Sequence, residues 1–268
     1  MIGQAKRLSE LVKNETRNNN AEKKIIAITS GKGGTGKSFF ILNYGFALSS
    51  MGERVLLIDL DSNLANIDVM LNYSSEKTIG DFIQNRVLLN ELPIEVRPNL
   101  YVIFGDSGKL NLNNNRREII DYLFLNIRKI AKNYDKVLID TGAGVQSDGL
   151  YLLSKTDFLL LLINPDPTSV MDGYALTKLL FNEFGKREID VVVNKTDNEE
   201  EGKTAFENIN TATTHFLKAK LNFIGIINYC NDVYKSIKEQ IIFSEEYPES
   251  EIANQIKAIA SKAILRKK

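Results

Sequence analysis

Short apolar runs alternate along most of the chain with longer segments whose apolar positions recur at helical spacing. The runs that predict β-strands are residues 24–29, 54–60, 100–104, 136–140, 157–163, 190–194 and 222–227. Continuous apolar runs of this length are typical of parallel strands that are covered on both faces. The pattern therefore predicts a single α/β domain with a mostly parallel, helix-covered sheet.

Helical spacing is clearest at residues 39–50, 119–130, 169–184 and 206–216. In two of these segments the residues that share one face are Ile119, Leu123, Ile127 and Ile130, and Phe206, Ile209, Thr213 and Phe216. Stripes of this kind usually face a protein core. We interpret them as packing surfaces and not as binding sites.

Both ends of the chain differ from this pattern. Residues 1–21 predict a short helix followed by a polar tether, ahead of a domain at residues 22–268. At the other end, residues 250–268 predict a helix with basic residues around an apolar face of Ile252, Ile256, Ile259 and Ala263. Such a helix either lies on an anionic membrane or is the last helix of the domain.

Charge and cysteine content limit the classes of partner. The 34 lysines and arginines balance the 34 aspartates and glutamates, whereas a protein that grips DNA by charge usually has an excess of basic residues. We therefore expect no nucleic-acid partner.

Three features bear on where the protein works in the cell. Cys230 is the single cysteine, and residues 1–20 lack the apolar core of a secretory signal. The apolar run 158–163 is too short to cross a bilayer. These features predict a cytoplasmic protein.

A glycine-rich motif follows the first predicted strand and opens a predicted helix. Residues 31–38 read GKGGTGKS, which satisfies G-x-x-x-x-G-K-[ST]. In such a loop the backbone N–H groups cradle phosphates, the Lys37 ammonium neutralises the outer phosphates and the Ser38 hydroxyl binds Mg²⁺. The predicted nucleotide-binding residues here are Gly31, Lys32, Gly33, Gly34, Thr35, Gly36, Lys37, Ser38 and Phe39.

A second lysine within the loop, Lys32, makes KGGTGKS resemble the deviant Walker A motif of the MinD/ParA ATPases. The resemblance implies that the chain binds ATP with Mg²⁺ and forms a homodimer around two nucleotides. It also implies that Lys32 reaches the partner's nucleotide and acts in hydrolysis together with Lys37. The alternative is a lysine on the rim of the loop with no role across a dimer.

Aspartates end two of the predicted strands, at the edge of a parallel sheet where ligands bind. The run DLDSNLANID at residues 59–68 resembles the family pattern D-x-D-x-G-x-x-N-[LI]-D, with Asn63 in place of the glycine. The resemblance implies that Asp61 orients the attacking water and that Asp59 supports Mg²⁺. Asp140, at the end of KVLID, resembles the second-switch aspartate and joins the metal site. The alternative role of each is that of a turn former at a strand end.

The run VVVNKTD at residues 191–197 contains N-K-x-D, which is also the guanine-reading motif of GTPases. In MinD/ParA proteins the corresponding strand ends in V-N, and the asparagine pairs with adenine. We favour Asn194 on adenine, because the phosphate loop and both aspartate motifs resemble that family, and GTP stays the alternative. Residues 225–233 resemble the loop that closes over the base, with Asn228 where many members have proline.

Residues 164–175 (NPDPTSVMDGYA) resemble a run of the FlhG (YlxH/FleN) branch, the flagellar-number regulators, which implies that Asp172 lies at the dimer interface. A helix start is the alternative interpretation. Residues 3–9 (GQAKRLS) resemble the branch's D-Q-A-x-x-L-R segment, which stimulates the partner GTPase FlhF, so Gln4 is the candidate partner contact.

We expect a slow, partner-stimulated or membrane-stimulated ATPase switch of the FlhG type, in the cytoplasm or at the inner face of the membrane. Flagellar basal-body components are the expected partners. The alternatives are a ParA-like partitioning ATPase and a GTP-binding or biosynthetic P-loop enzyme.

Overall fold

A computed structural model describes residues 25–61, 66–106, 116–186 and 188–265. The described strands are β1 (Ile25–Thr29), β2 (Val55–Leu60), β3 (Ile94–Arg97), β4 (Leu100–Ile103), β5 (Lys136–Thr141), β6 (Phe158–Ile163), β7 (Ile189–Thr196) and β8 (Asn222–Asn228). They form one 8-stranded sheet in the order β3-β4-β2-β5-β1-β6-β7-β8. All pairs are parallel except β3 with β4.

Helices cover both faces of this sheet. The described helices are α1 (Lys37–Ser50), α2 (Ile67–Met70), α3 (Ile79–Ile83), α4 (Arg116–Ile130), α5 (Ser147–Ser154), α6 (Pro167–Phe184), α7 (Glu199–Leu217), α8 (Asn231–Glu239), α9 (Phe243–Glu246) and α10 (Glu251–Leu265). In β1, Ile25 and Ala27 join the core with α4 to α7, whereas Ile26 and Ile28 join the core with α1 and α10. The predicted α/β fold is therefore confirmed.

The predicted strands all occur, within about two residues of their expected ends. β3 was not predicted, because the mixed sequence IEVR is only partly buried at the edge of the sheet. One predicted core position is wrong: the side chain of Phe216 is 69% exposed, although Ile209 and Thr213 on the same stripe are buried. In the last turn of α7 the neighbouring residue Leu217 packs against the core instead, and Phe216 is exposed.

The apolar face of α10 packs inside the domain. Ile252, Ile256 and Ile259 are buried in the core that also contains residues of α1 and β8. α10 is therefore packed as a helix of the domain, and these isoleucines do not face a membrane in this structure. The side chain of Ala263 lies outside the described residues. Within the described part of the chain, no helix is both long and apolar enough to span a bilayer.

Candidate nucleotide-binding site

The loop between β1 and α1 has the backbone geometry of a phosphate cradle. Gly34 and Gly36 have left-handed φ angles of 75° and 93°, which glycine adopts without steric cost. Gly36 is the N-cap residue of α1, and Lys37 begins that helix with its side chain largely buried. The positive end of the α1 dipole therefore points at the loop, where it favours an anion.

Two other elements, α6 and β7, pack closely against glycines of this loop. A Cβ atom on Gly31 would lie 2.3 Å from the carbonyl carbon of Asp172 in α6, and one on Gly36 would lie 2.5 Å from Nδ2 of Asn194 in β7. No atom lies within 4 Å of the same position on Gly33. The glycines at 31 and 36 are therefore required by close packing, and the structure brings Asp172 and Asn194 to the phosphate loop.

Asp59 and Asp140 are register partners on the adjacent strands β2 and β5, and both are buried. Burial raises the pKa of Asp59 to about 8, and the charge of Asp140 adds to the rise. Burial also raises the pKa of Asp140 to about 6, although the Lys37 ammonium and the Ser38 hydroxyl oppose it. Neither oxygen of Asp140 accepts a hydrogen bond of normal length from the described residues.

These observations test whether the residues fit a divalent cation. Two neighbouring buried carboxylates, of which Asp140 has unsatisfied oxygens, are costly unless a proton or a cation neutralises them. Mg²⁺ prefers one or two carboxylate or hydroxyl oxygens and completes its shell with phosphate oxygens and waters. Asp59, Asp140 and Ser38 fit that donor set.

Asp59 also organises the segment that follows β2. Its Oδ1 accepts a hydrogen bond from the Asp61 backbone nitrogen at 3.0 Å, and its Oδ2 accepts one from the Ile67 backbone nitrogen at 3.5 Å. Residues 62–65, including Asn63, lie outside the described residues. The carboxylate thus links the two ends of this loop, with Asp61 at the carboxyl edge of the sheet.

Lys32 points across the loop to the start of α6. Its Nζ donates to Oδ1 of Asp166 at 2.7 Å and to Oγ1 of Thr168 at 2.8 Å. The hydrogen bonds from Lys32 and Thr168 hold the pKa of Asp166 at about 2. Asp166 also caps α6, because its side chain accepts from the Ser169 backbone nitrogen. Sequence reasoning missed this partner of Lys32.

The end of β7 lies against the same loop. Nδ2 of Asn194 donates to the Thr35 carbonyl at 2.7 Å, and Nζ of Lys195 donates to the Gly34 carbonyl at 2.8 Å. Among the described residues the Asn194 amide makes this one side-chain hydrogen bond, so its oxygen and second N–H can pair with a further group. Sequence reasoning named Asn194 and missed Lys195, although the lysine of N-K-x-D was the signal that pointed to it.

The remaining predicted positions are Asn228, Phe39 and Gln4. Asn228 ends β8, where its Oδ1 accepts from Thr196 at 2.8 Å and its Nδ2 donates to Glu251 at 2.6 Å. Both ends of that amide are therefore engaged within the fold. The Phe39 ring packs in the core against Phe243, with ring centroids 5.8 Å apart, so only the backbone of Phe39 can face a phosphate. Gln4 lies outside the described residues.

The loop after β5 is hydrogen-bonded to the start of the phosphate loop. The Gly144 backbone nitrogen donates to the Ser30 carbonyl at 3.0 Å, and the Ser30 hydroxyl donates to the Lys32 carbonyl at 2.8 Å. Thr141 anchors the strand end through a hydrogen bond from its hydroxyl to the Ile28 carbonyl. These hydrogen bonds link the loop after β5 to the backbone beside Lys32.

Residues 26–243 match the family described as the CobQ/CobB/MinD/ParA nucleotide binding domain. The antiactivator FleN of Pseudomonas aeruginosa is 31% identical over 238 residues, which are 89% of this chain and 85% of FleN. The flagellum site-determining protein YlxH of Helicobacter pylori is 30% identical over 273 residues, covering 97% of this chain and 90% of YlxH. The septum site-determining protein MinD of Pyrococcus horikoshii, solved in complex with Mg-ADP, has the same fold, with a TM-score of 0.73 at 23% identity and coverage of 90% and 95%.

Proposed function

Because the chain belongs to the CobQ/CobB/MinD/ParA nucleotide-binding family, we propose that it is a switch ATPase that binds Mg-ATP, dimerises and hydrolyses ATP slowly. The observation that carries this proposal is the convergence of three features at the carboxyl edge of the sheet. They are the glycine cradle ahead of α1, the buried Asp59 and Asp140 pair, and the additional lysine at position 32.

The hydrolytic step asks little covalent chemistry of the protein, because phosphoryl transfer depends on positioning and on charge stabilisation. Lys37 and the N-terminus of α1 neutralise the phosphates, and Asp61 orients the attacking water. Mg²⁺, when bound by Ser38 with support from Asp59 and Asp140, neutralises charge on the phosphate oxygens. The position of each residue at the carboxyl edge of the sheet supports these roles.

Dimerisation is the output of the switch in this proposal. Lys32 exchanges its bonds to Asp166 and Thr168 for the phosphates bound by a second copy of the chain, and Asp172 lies at the same interface. ATP shifts the equilibrium only if the dimer binds it better than the monomer does. A lysine that contacts the partner's nucleotide supplies that difference in affinity.

The biological role that we propose is regulation of flagellar number or placement, in the cytoplasm or at the inner face of the membrane. FleN and YlxH support it, since they match most of this chain and are named for antiactivation and for flagellum site determination. The proposed partners are flagellar basal-body components and an FlhF-like GTPase, which binds residues 1–20 through Gln4. The balanced charge disfavours the ParA-like alternative, which needs a basic surface for DNA.

The base-reading proposal places adenine against Asn194, whose free amide oxygen accepts from an exocyclic amine. Guanine is the second candidate, because Asp197 follows in N-K-T-D and its exposed carboxylate accepts no hydrogen bond from the described residues. Competition between ATP and GTP at equal magnesium concentration separates the two. If the site recognises adenine, ATP displaces labelled ADP at a much lower concentration than GTP does.

The nucleotide proposal is tested by calorimetry with Mg-ATP and Mg-ADP together with phosphate release. We expect saturable binding by the wild type, loss of binding in Lys37→Ala, and retained binding without turnover in Asp61→Ala. Absence of binding by a folded wild-type protein contradicts the proposal. Equal turnover in Asp61→Ala contradicts the catalytic role of that aspartate.

The partner proposal is tested separately with synthetic peptides of residues 1–20. The wild-type peptide should raise the GTPase rate of an FlhF protein, and a peptide with Gln4→Ala should not. The same stimulation by both peptides excludes Gln4 as the contact. No stimulation by the wild-type peptide excludes this segment as the activator.

A further inference from the structure

Lys195 has an unusual backbone for its place in a central strand. Its φ angle is +60°, in the left-handed region that residues other than glycine rarely adopt. The pairing of β7 with β8 shifts register between Asn194 and Thr196, which makes Lys195 the additional residue of a β-bulge. Strained residues of this kind persist where the surrounding structure holds them, and they concentrate at functional sites.

The bulge directs the Lys195 side chain to the phosphate loop. Its ammonium donates to the Gly34 carbonyl at 2.8 Å, beside the bond from Asn194 to the next carbonyl, that of Thr35, at 2.7 Å. A phosphate cradle needs its N–H groups to converge inward, so the carbonyls of the same peptide groups must point away from the phosphate. Two adjacent side chains of β7 therefore hold two successive loop carbonyls in the outward direction.

We propose that Lys195 is a positioning residue for the nucleotide, which presets the loop backbone for the phosphates. It acts through Gly34 and makes no contact with the reacting atoms. A loop that is already in its binding conformation loses less freedom when the ligand arrives, so removal of the ammonium weakens binding. ATP and ADP are affected alike, because both have the phosphates that this part of the loop surrounds. The inference rests on the proposed nucleotide binding.

The test compares variants of Lys195 with the same variants of Lys218. Lys218 is an exposed lysine that also has a left-handed φ angle, 52°, and it is the C-cap residue that follows α7. The variants Lys195→Met, Lys195→Gly and Lys195→Arg are titrated with Mg-ATP and Mg-ADP, and their thermal midpoints and turnover are measured. Lys218→Met and Lys218→Gly are the matched controls.

We expect Lys195→Met and Lys195→Gly to raise the Kd for both nucleotides about tenfold, as for the loss of a charged hydrogen-bond donor. Turnover at saturating ATP should remain within about twofold of the wild type, because the chemical step does not involve Lys195. Lys195→Arg, which keeps a donor, should bind nearly as tightly as the wild type. In Lys195→Gly the loss of affinity should accompany an unchanged or higher thermal midpoint, since glycine adopts this φ without strain.

A purely structural role gives a different result. If Lys195→Met and Lys195→Gly bind nucleotide as tightly as the Lys218 controls, the inference is wrong and the proposed function stands. An affinity loss only in variants with a lowered thermal midpoint also overturns it. If the folded wild type binds neither nucleotide, the proposed function fails and this inference fails with it.

Discussion

The Nζ atom of Lys32 lies 2.7 Å from Oδ1 of Asp166, within one subunit. The same ammonium donates to the Thr168 hydroxyl, so two residues at the start of α6 hold the lysine that we propose for a neighbouring subunit. Both charged side chains are partly exposed, so the ion pair is weak enough to exchange for a phosphate. The contact gives the monomer a defined resting position for Lys32.

Removing the charge of Asp166 should favour the dimer. Asp166→Asn keeps an N-cap for α6 and weakens the bond to Lys32, so the lysine leaves at lower cost. An exposed pair contributes about 0.2 to 1 kcal/mol, and a dimer releases one pair from each subunit. We expect a severalfold lower dimer dissociation constant with Mg-ATP, measured by sedimentation.

The control for this variant is Glu245→Gln, which removes the partly exposed ion pair with Arg97 away from the phosphate loop. It should leave the dimer dissociation constant unchanged. A weaker dimer in Asp166→Asn would contradict the exchange and would indicate that Asp166 itself contributes to the interface.

Two glycines of the phosphate loop should respond very differently to alanine. Gly31→Ala places a Cβ 2.3 Å from the Asp172 carbonyl carbon, so α6 must move, whereas Gly33→Ala meets open space. Overpacking of this kind costs about 1 to 3 kcal/mol. Chemical denaturation should show that loss for Gly31→Ala and a change near zero for Gly33→Ala, and equal effects would contradict the packing of α6 on the loop.

Continuous apolar strands and a contiguous motif were predictable because each is a local property of the sequence. The run 158–163 became β6 with no change at its C-terminal end, and Gly31 to Ser38 form the loop that the motif predicts. Conformations that depend on tertiary packing were not predictable. The left-handed bulge at Lys195 and the pairing of Lys32 with Asp166 both require knowledge of which elements meet at the loop.

The same reasoning explains why Phe216 was misjudged, and it also bears on Asn228, whose proposed contact with the base stays a prediction. Phe216 continues a helical stripe in the sequence, but it is exposed and its neighbour Leu217 packs against the core instead. Asn228 lies on the predicted side of the sheet, but Thr196 and Glu251 occupy its amide. Spacing along the chain places a residue on a face or at an edge, whereas its hydrogen-bond partners come from other segments.

The stability of the metal-free protein should fall as the pH rises. Asp59 and Asp140 have folded-state pKa values of about 8 and about 6, both above the usual range of an unfolded aspartate near 4. The unfolded chain therefore binds fewer protons than the folded chain between about pH 4 and pH 8, so stability declines over that window. Thermal midpoints measured in EDTA without nucleotide should decrease accordingly, and Mg-ADP should restore them at the alkaline end.

Asp140→Asn is the matched variant for this pH dependence. The substitution removes a carboxylate whose ionisation costs the folded state up to about 3 kcal/mol. The thermal midpoint of the variant in EDTA should therefore fall less steeply with pH, and above about pH 6 it should exceed that of the wild type. A slope identical to that of the wild type would contradict the raised pKa of Asp140.

The C-terminal helix should contribute to folding in the absence of any membrane. Ile256 is fully buried in the core that contains residues of α1, so Ile256→Ala should lower the free energy of unfolding by about 2 to 5 kcal/mol in lipid-free buffer. Lys257→Ala, at an exposed neighbouring position, should change it little. A wild-type unfolding curve for Ile256→Ala would contradict the packing of α10.

The central claim is that ATP, bound by residues 31–38, joins two copies of the chain through Lys32. Analytical ultracentrifugation of Asp61→Ala, which we expect to bind ATP without hydrolysing it, tests it most directly. We expect a dimer with Mg-ATP, a monomer with Mg-ADP, and a monomer with either nucleotide when Lys32→Ala is added. The same sedimentation coefficient in both nucleotides, or a dimer that persists without Lys32, would contradict the account.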